Sequence, residues 1–304
     1  MTTELSRREF LGLTLAARSA AFLAACAGPS APGPEPKAAP ASPRFGGTLR
    51  VANVGELPAL DPGWTTATIT EIIMQHVFEP LFTNNGSFRP VPHLADRFEV
   101  SPDATRFTFY LRKDVLFDNG QEMTARDVAA SLRRWAQVSS RGRTVFGLVD
   151  RLEEVDRYTV RLIFKEPLGA LPVYLAEVES MIIPAEIAES GGKDRLPPER
   201  VIGTGPFKLV KLAEYLVDRH LRLVRWEKYN PRPKPPDGLA GRRTAYVDEL
   251  LFTPVPEDSV RVDGLITGEY HAADSIHPDH FDRLGSSPSA RALVVKPYYL
   301  CSPL

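Results

Sequence analysis

The chain has 304 residues, 43% hydrophobic and 25% charged, with 37 Lys and Arg against 38 Asp and Glu, a formal net charge of −1. That composition is globular, and without clustered basic residues to displace counterions it argues against a nucleic-acid partner. The two cysteines, Cys26 and Cys301, are too few for a disulfide framework or a thiolate zinc site, and 28 prolines disfavour long helical bundles.

At the N-terminus, Ser6-Arg7-Arg8-Glu9-Phe10-Leu11 sets an arginine pair before an apolar run, Leu11 to Ala17, which continues after Arg18 from Ser19 to Ala25. The pattern resembles a twin-arginine export signal, and the run is too weakly apolar to span a bilayer. It closes in Leu23-Ala24-Ala25-Cys26, which resembles a lipobox whose cysteine takes a diacylglyceryl group. Residues 1–25 are therefore expected to be removed and Cys26 lipidated, since acyl chains hold a protein at a membrane with no spanning helix. Six prolines between Pro29 and Pro43 give residues 26–45 the composition of an extended tether.

The folded part follows in chain order. Thr48 to Val54 reads as a strand, and Thr65 to Glu79 as a helix with Ile69, Ile72, Ile73 and Val77 at helical spacing. Leu81 to Thr83 and the Asn84-Asn85-Gly86 turn suggest a hairpin. Arg106 to Leu111 alternates, with Phe107, Phe109 and Leu111 on one face, the pattern of a half-buried strand. Thr124 and Asp127 form a capping-box pattern, so a helix should start near Ala125 and bury Val128, Leu132 and Trp135. Arg151 to Phe164 predicts a second hairpin about Asp156-Arg157, and residues 168–189 predict helical pieces broken by Pro172 and Pro184. Phe207 to Glu214 and Val217 to Glu227 read as paired strands, Val247 to Thr253 as a strand, Asp258 to Thr267 and Pro278 to Leu284 as helices, and Ala292 to Lys296 as a strand. Uneven alternation of the two element types indicates a mixed α/β (α+β) class rather than a regular doubly wound sheet.

Several blocks in this order carry a family resemblance. They are Gly46-Gly47-Thr48-Leu49-Arg50-Val51-Ala52, Leu60-Asp61-Pro62, Phe78-Glu79-Pro80-Leu81, Pro92-His93-Leu94-Ala95, Phe117-Asp118-Asn119-Gly120 and Thr124-Ala125-Arg126-Asp127-Val128. Gly203-Thr204-Gly205-Pro206-Phe207 and Trp226-Glu227-Lys228-Tyr229-Asn230-Pro231 complete the set. Together they resemble the family 5 extracellular solute-binding proteins, the oligopeptide, dipeptide and nickel receptors of ABC importers. The resemblance implies a periplasmic-binding-protein type II-like fold, with residues 46–275 as the N-terminal lobe, an inserted subdomain at about 80–195, and residues 276–304 as the start of a second, truncated lobe.

It also implies a non-enzymatic receptor that captures a peptide or related solute outside the cytoplasmic membrane and passes it to a membrane permease. A lipid-anchored monomer without a cofactor is expected. By position, the loop after the first strand and the Gly-Thr-Gly-Pro-Phe stretch border the cleft, which implicates Asn53, Glu56, Leu57, Thr204 and Gly205. Glu56 would receive a cationic group, and the backbone near Thr204 would pair with an extended peptide. Most other motif residues have a fold-forming explanation in turns, caps and core. Two alternatives stand beside the receptor. One is a non-binding fragment or lipoprotein that only docks on an envelope partner. The other is a metal-binding lipoprotein using His271, Asp274, His277, Asp279, His280 and Asp282, against which Pro278 breaks the register and no His-Glu-x-x-His pattern occurs. No Gly-x-Ser-x-Gly elbow or P-loop supports hydrolase chemistry.

Overall fold

The computed structural model describes residues 43–210 and 220–293, so the expected export signal and Cys26 lie outside the described residues. In chain order the elements are β1 (Thr48–Asn53), α1 (Thr68–Met74), β2 (Phe82–Asn84), β3 (Pro90–Pro92), β4 (Ala95–Val100), β5 (Arg106–Leu111), α2 (Ala125–Val138) and α3 (Ser140–Leu148). There follow β6 (Val149–Asp156), β7 (Thr159–Phe164), α4 (Leu171–Tyr174), α5 (Ala185–Gly191), β8 (Phe207–Leu209), β9 (Leu221–Arg225) and β10 (Glu249–Pro254). The last are α6 (Asp258–Thr267), β11 (Ala272–Ala273) and α7 (Phe281–Gly285).

Strand β5 forms over the predicted residues, with Phe107, Phe109 and Leu111 buried and Arg106 exposed, but Thr108 on the opposite face is buried as well, so the strand is covered on more than its apolar side. Phe109 meets Phe82 edge-on at 5.9 Å between ring centroids, and Phe107 meets Phe164 edge-on at 5.8 Å. Such pairs add to the roughly 2 kcal/mol that burial of each large apolar side chain contributes. This strand lies inside an antiparallel sheet of order β4-β5-β7-β6, whose β6–β7 hairpin turns at Arg157-Tyr158. Residues β2 and β3 form a separate two-stranded hairpin.

Helix α2 starts at the predicted residue. The Thr124 backbone N–H and hydroxyl both donate to Asp127 Oδ2 at 2.8 Å, and Asp127 Oδ1 accepts the Ala185 N–H at 2.8 Å. One carboxylate thus caps α2 and fixes the entry to α5. The helix buries Val128, Leu132 and Trp135 on one side and Ser131 and Arg134 on another, so it is covered on more than its apolar stripe.

The remaining strands form a sheet of order β11-β1-β10-β9-β8. β1 runs parallel to both neighbours, with Thr48 opposite Glu249 and Val51 opposite Ala272. A second apolar cluster, including Ile73, Met74, Phe78, Ile183, Leu223 and Phe252, joins this sheet to α1 and α5.

Three expectations need correction. The helix predicted over Thr65 to Glu79 is only Thr68–Met74. Beyond Met74 the amides of His76 and Val77 turn back to the carbonyls of Ile73 and Met74, and their own carbonyls accept the amides of Phe207 and Gly205. Pro172 does not break a helix but sits in the first turn of α4, where a missing N–H is harmless, while Pro184 precedes α5. Ala292 and Leu293 belong to no element, and Val294 to Lys296 lie outside the described residues. No described helix is long and apolar enough to cross a membrane.

Candidate functional site

The parallel strands β1, β10 and β11 end together, and the loop after β1 leaves from that edge. Asn53 closes β1 with its side chain 2% exposed and its Nδ2 donating to the Gly55 carbonyl. Its own carbonyl accepts the Val255 N–H at 2.8 Å, so the loop after β10 holds the end of β1. Glu56 is exposed, and Leu57 is half-buried against the cluster around Ile73 and Phe252. Three of the five expected ligand residues therefore share one short lip, on which Glu56 is exposed.

Thr204 and Gly205 occupy a different environment. Thr204 is 1% exposed, and its hydroxyl donates to Glu79 Oε2 at 2.9 Å. The Gly203 amide donates to Asp118 Oδ2 at 3.1 Å, the Gly205 amide to the Val77 carbonyl at 2.8 Å, and the Phe207 amide to the His76 carbonyl at 3.1 Å. These donors are committed within the protein, so the added-strand contact expected near Thr204 cannot use them. The glycines are needed for approach: a Cβ at Gly203 would lie 2.0 Å from the Val77 carbonyl oxygen, and one at Gly205 would lie 2.5 Å from that of His76.

At the centre of this junction is Glu79, 1% exposed. Its Oε1 takes His93 Nε2 and the Tyr229 hydroxyl at 2.9 Å each, and Arg243 Nη1 at 3.3 Å. Burial opposes ionisation of Glu79, but the charge and hydrogen bond of His93, then the Arg243 guanidinium and the Thr204 hydroxyl, outweigh it and hold the carboxyl at about 2. Burial, followed by the Glu79 charge, pushes the Tyr229 hydroxyl well above its ordinary value. Sequence reasoning quoted Glu79, His93, Thr204 and Tyr229 in four separate blocks without joining them, and it missed Arg243. The spacing of the blocks could not reveal that they meet.

A second buried carboxylate explains Leu60-Asp61-Pro62. Asp61, fully buried, accepts Arg134 Nη2 at 2.5 Å, the Leu196 N–H at 3.0 Å and the Gly63 N–H at 3.0 Å. It ties the segment after the lip to α2 and to the approach to β8.

The histidine-rich stretch does not gather. Among the described residues, no group of three or more His, Cys, Asp and Glu is placed to hold a metal ion. His271 packs on Arg50, with Nδ1 3.1 Å from the Arg50 amide nitrogen and Nε2 3.0 Å from Nη2. His277 accepts the Asp279 N–H, and His280 pairs with Asp258 at 3.3 Å. Asp274 lies near Arg261, whose charge partly offsets the burial that raises the carboxyl's pKa. Two arginines among these candidate ligands would repel a cation.

The geometry defines a class: a mixed α/β lobe whose parallel strands present a loop at their C-terminal edge, supported by buried carboxylates. The family model for bacterial extracellular solute-binding proteins, family 5 (middle), matches residues 89–300. The chain belongs to that family. A probable peptide ABC transporter periplasmic-binding protein of Sinorhizobium fredii is 37% identical over 233 residues, covering 73% of this chain and 41% of the relative. A glutathione-binding protein of Pectobacterium atrosepticum is 26% identical, covering 75% of this chain and 42% of its own length. Among solved structures, the periplasmic binding protein AgaA of A. tumefacien, in complex with agropinic acid, superposes with a TM-score of 0.67 at 28% identity, covering 80% of this chain and 46% of that one. The ABC transporter-associated periplasmic binding protein DppA of Helicobacter pylori, in complex with the peptide STSA, gives 0.67 at 24% identity and shares the fold. The chain thus spans less than half the length of the curated relatives it matches.

Proposed function

We propose that this chain supplies the first lobe of an extracytoplasmic receptor that captures a peptide or related small solute and delivers it to an ABC permease. Within that reading, residues 46–275 form the lobe, the segment at about 80–195 is its inserted subdomain, and residues from 276 begin the second lobe. Cys26 carries the lipid anchor, and the reaction is capture and release without chemistry.

The observation that carries the reading is the lip: family membership is joined here to an exposed Glu56 on a loop fixed by Asn53 at the C-terminal ends of parallel strands. Open α/β sheets bind ligands at such edges. Glu56 offers an acceptor for a solute's ammonium, and Leu57 an apolar border. Thr204 and Gly205 contribute from behind, by holding the junction with Glu79 on which the lip's sheet rests. Peptides are the favoured solute class because the relatives' printed names include peptide- and glutathione-binding proteins.

A lobe that contacts solute from one side leaves the other side wet, whereas small-molecule sites bury most of the ligand. Titration calorimetry of the chain alone with mixed di- and tripeptides is expected to give no micromolar binding. Fusing it to the C-terminal remainder of the Sinorhizobium fredii relative should give micromolar heat, reduced about tenfold by Glu56→Gln, as for a charge-assisted bond of about 1.4 kcal/mol. A fusion that folds but binds no peptide would overturn the peptide assignment. Permease co-purification that is the same with and without peptide would favour the docking-only reading.

A further inference from the structure

Arg261, on the first turns of α6, is 3% exposed and makes four hydrogen bonds from its two terminal nitrogens. Nη1 donates to the carbonyls of Val255 at 2.7 Å and Pro256 at 2.8 Å. Nη2 donates to Asp258 Oδ1 at 3.0 Å and to the Ser275 carbonyl at 3.1 Å. The first two acceptors belong to the loop after β10, and Val255 in turn donates its N–H to Asn53, the root of the lip. The last belongs to the segment leaving β11, where Ser275 holds a left-handed φ of 51° that a side-chain-bearing residue adopts only under constraint. Asp258 extends the clasp, since its Oδ2 accepts the His277 N–H at 2.9 Å.

We propose that Arg261 is the positioning residue that couples the Asn53–Leu57 lip to the crossing segment beginning at Ser275. A movement of the crossing segment pulls on one nitrogen of a rigid fork, and the other nitrogen transmits it through Val255 to Asn53. A planar guanidinium suits this role because its donors keep fixed directions. A lysine has its three donors on one atom and cannot hold carbonyls on both segments in the same register. An apolar residue would satisfy packing at lower desolvation cost, so a buried cation here is better explained by the geometry it imposes than by stability. The inference deepens the receptor reading by tying the solute-facing edge to the point where the chain departs toward a second lobe.

Hydrogen exchange on the full chain tests it without any solute. In Arg261→Met, amides in residues 53–57 and 274–280 are expected to exchange at least tenfold faster, while the Gly205 amide changes less than twofold. Arg261→Lys keeps the charge but not the fork and is expected to give the same two-segment pattern at smaller amplitude. If Arg261→Met does not fold, Arg261→Lys carries the test. Equal acceleration at Gly205 would mean a general stabilising role and overturn the proposal. So would acceleration confined to residues 255–261, or none at all. Absence of peptide binding in the fusion would sink the receptor reading yet leave the exchange result standing.

Discussion

Replacing Glu79 by Gln keeps the shape of the side chain and removes its charge at the point where His93, Thr204, Tyr229 and Arg243 converge. The ionised carboxyl is favoured from its ordinary 4.5 down to about 2, which at about 1.4 kcal/mol per unit corresponds to roughly 3 kcal/mol of folding stability. Glutamine can still bond the Tyr229 and Thr204 hydroxyls but leaves the half-buried Arg243 guanidinium without its carboxylate, held among the described residues by the Gln75 carbonyl alone. Urea unfolding at pH 7 should therefore show Glu79→Gln destabilised by about 3 kcal/mol, with Glu79→Ala lower still. Because the folded pKa is depressed, the contribution is complete above about 4.5 and disappears as pH falls through about 2. The gap between wild type and Glu79→Gln should accordingly narrow between those values. A loss below 1 kcal/mol, or a gap that does not change with pH, would refute the assignment of an ionised hub.

Gly203→Ala and Gly205→Ala should each abolish or severely impair folding, because the opposing atoms are backbone carbonyls that cannot rotate away; soluble yield and circular dichroism would check this. Arg134→Met, which strands the buried Asp61, should cost about 3–5 kcal/mol in the same urea assay, and the double change Asp61→Asn with Arg134→Met should cost less than the two single changes added. Glu71 is raised from 4.5 to about 7, chiefly by burial and then by Glu177. A raised carboxyl makes stability fall as pH climbs from about 4.5 to 7. After discounting for its partial exposure the slope amounts to about 1 kcal/mol, and Glu71→Gln should remove it in thermal melts across that range. Cys26→Ala should prevent incorporation of labelled fatty acid and release the protein from membranes; unchanged labelling would refute the anchor.

What the sequence made legible was local. The Thr124–Asp127 cap and the alternation of Arg106–Leu111 involve residues within a few positions of each other, and both elements form where expected. The helix Asp258–Thr267 also matches its predicted limits. The partners of the chain just beyond α1 were not legible, because the carbonyls of His76 and Val77 bond amides at Phe207 and Gly205, about 130 positions away. Thr204 reads as a cleft residue only through the family resemblance of its Gly-Thr-Gly-Pro-Phe stretch. Its burial follows from Glu79, which nothing near Thr204 in sequence announces. The lip is half visible: Glu56 and Leu57 can be named from position, whereas Arg261 reads as an ordinary helix residue until the two loops it bridges are brought together.

The parallel pairing of β1 with β10 puts Thr48 against Glu249, so β1 must wait for a partner about 200 positions later before its sheet can close. Loop closure over that separation is entropically costly and delays these contacts. The antiparallel sheet of residues 95–164, by contrast, contains its own partners and can form early. The order of assembly is thereby biased: the antiparallel sheet serves as a preformed scaffold, and β1 finds its partners later.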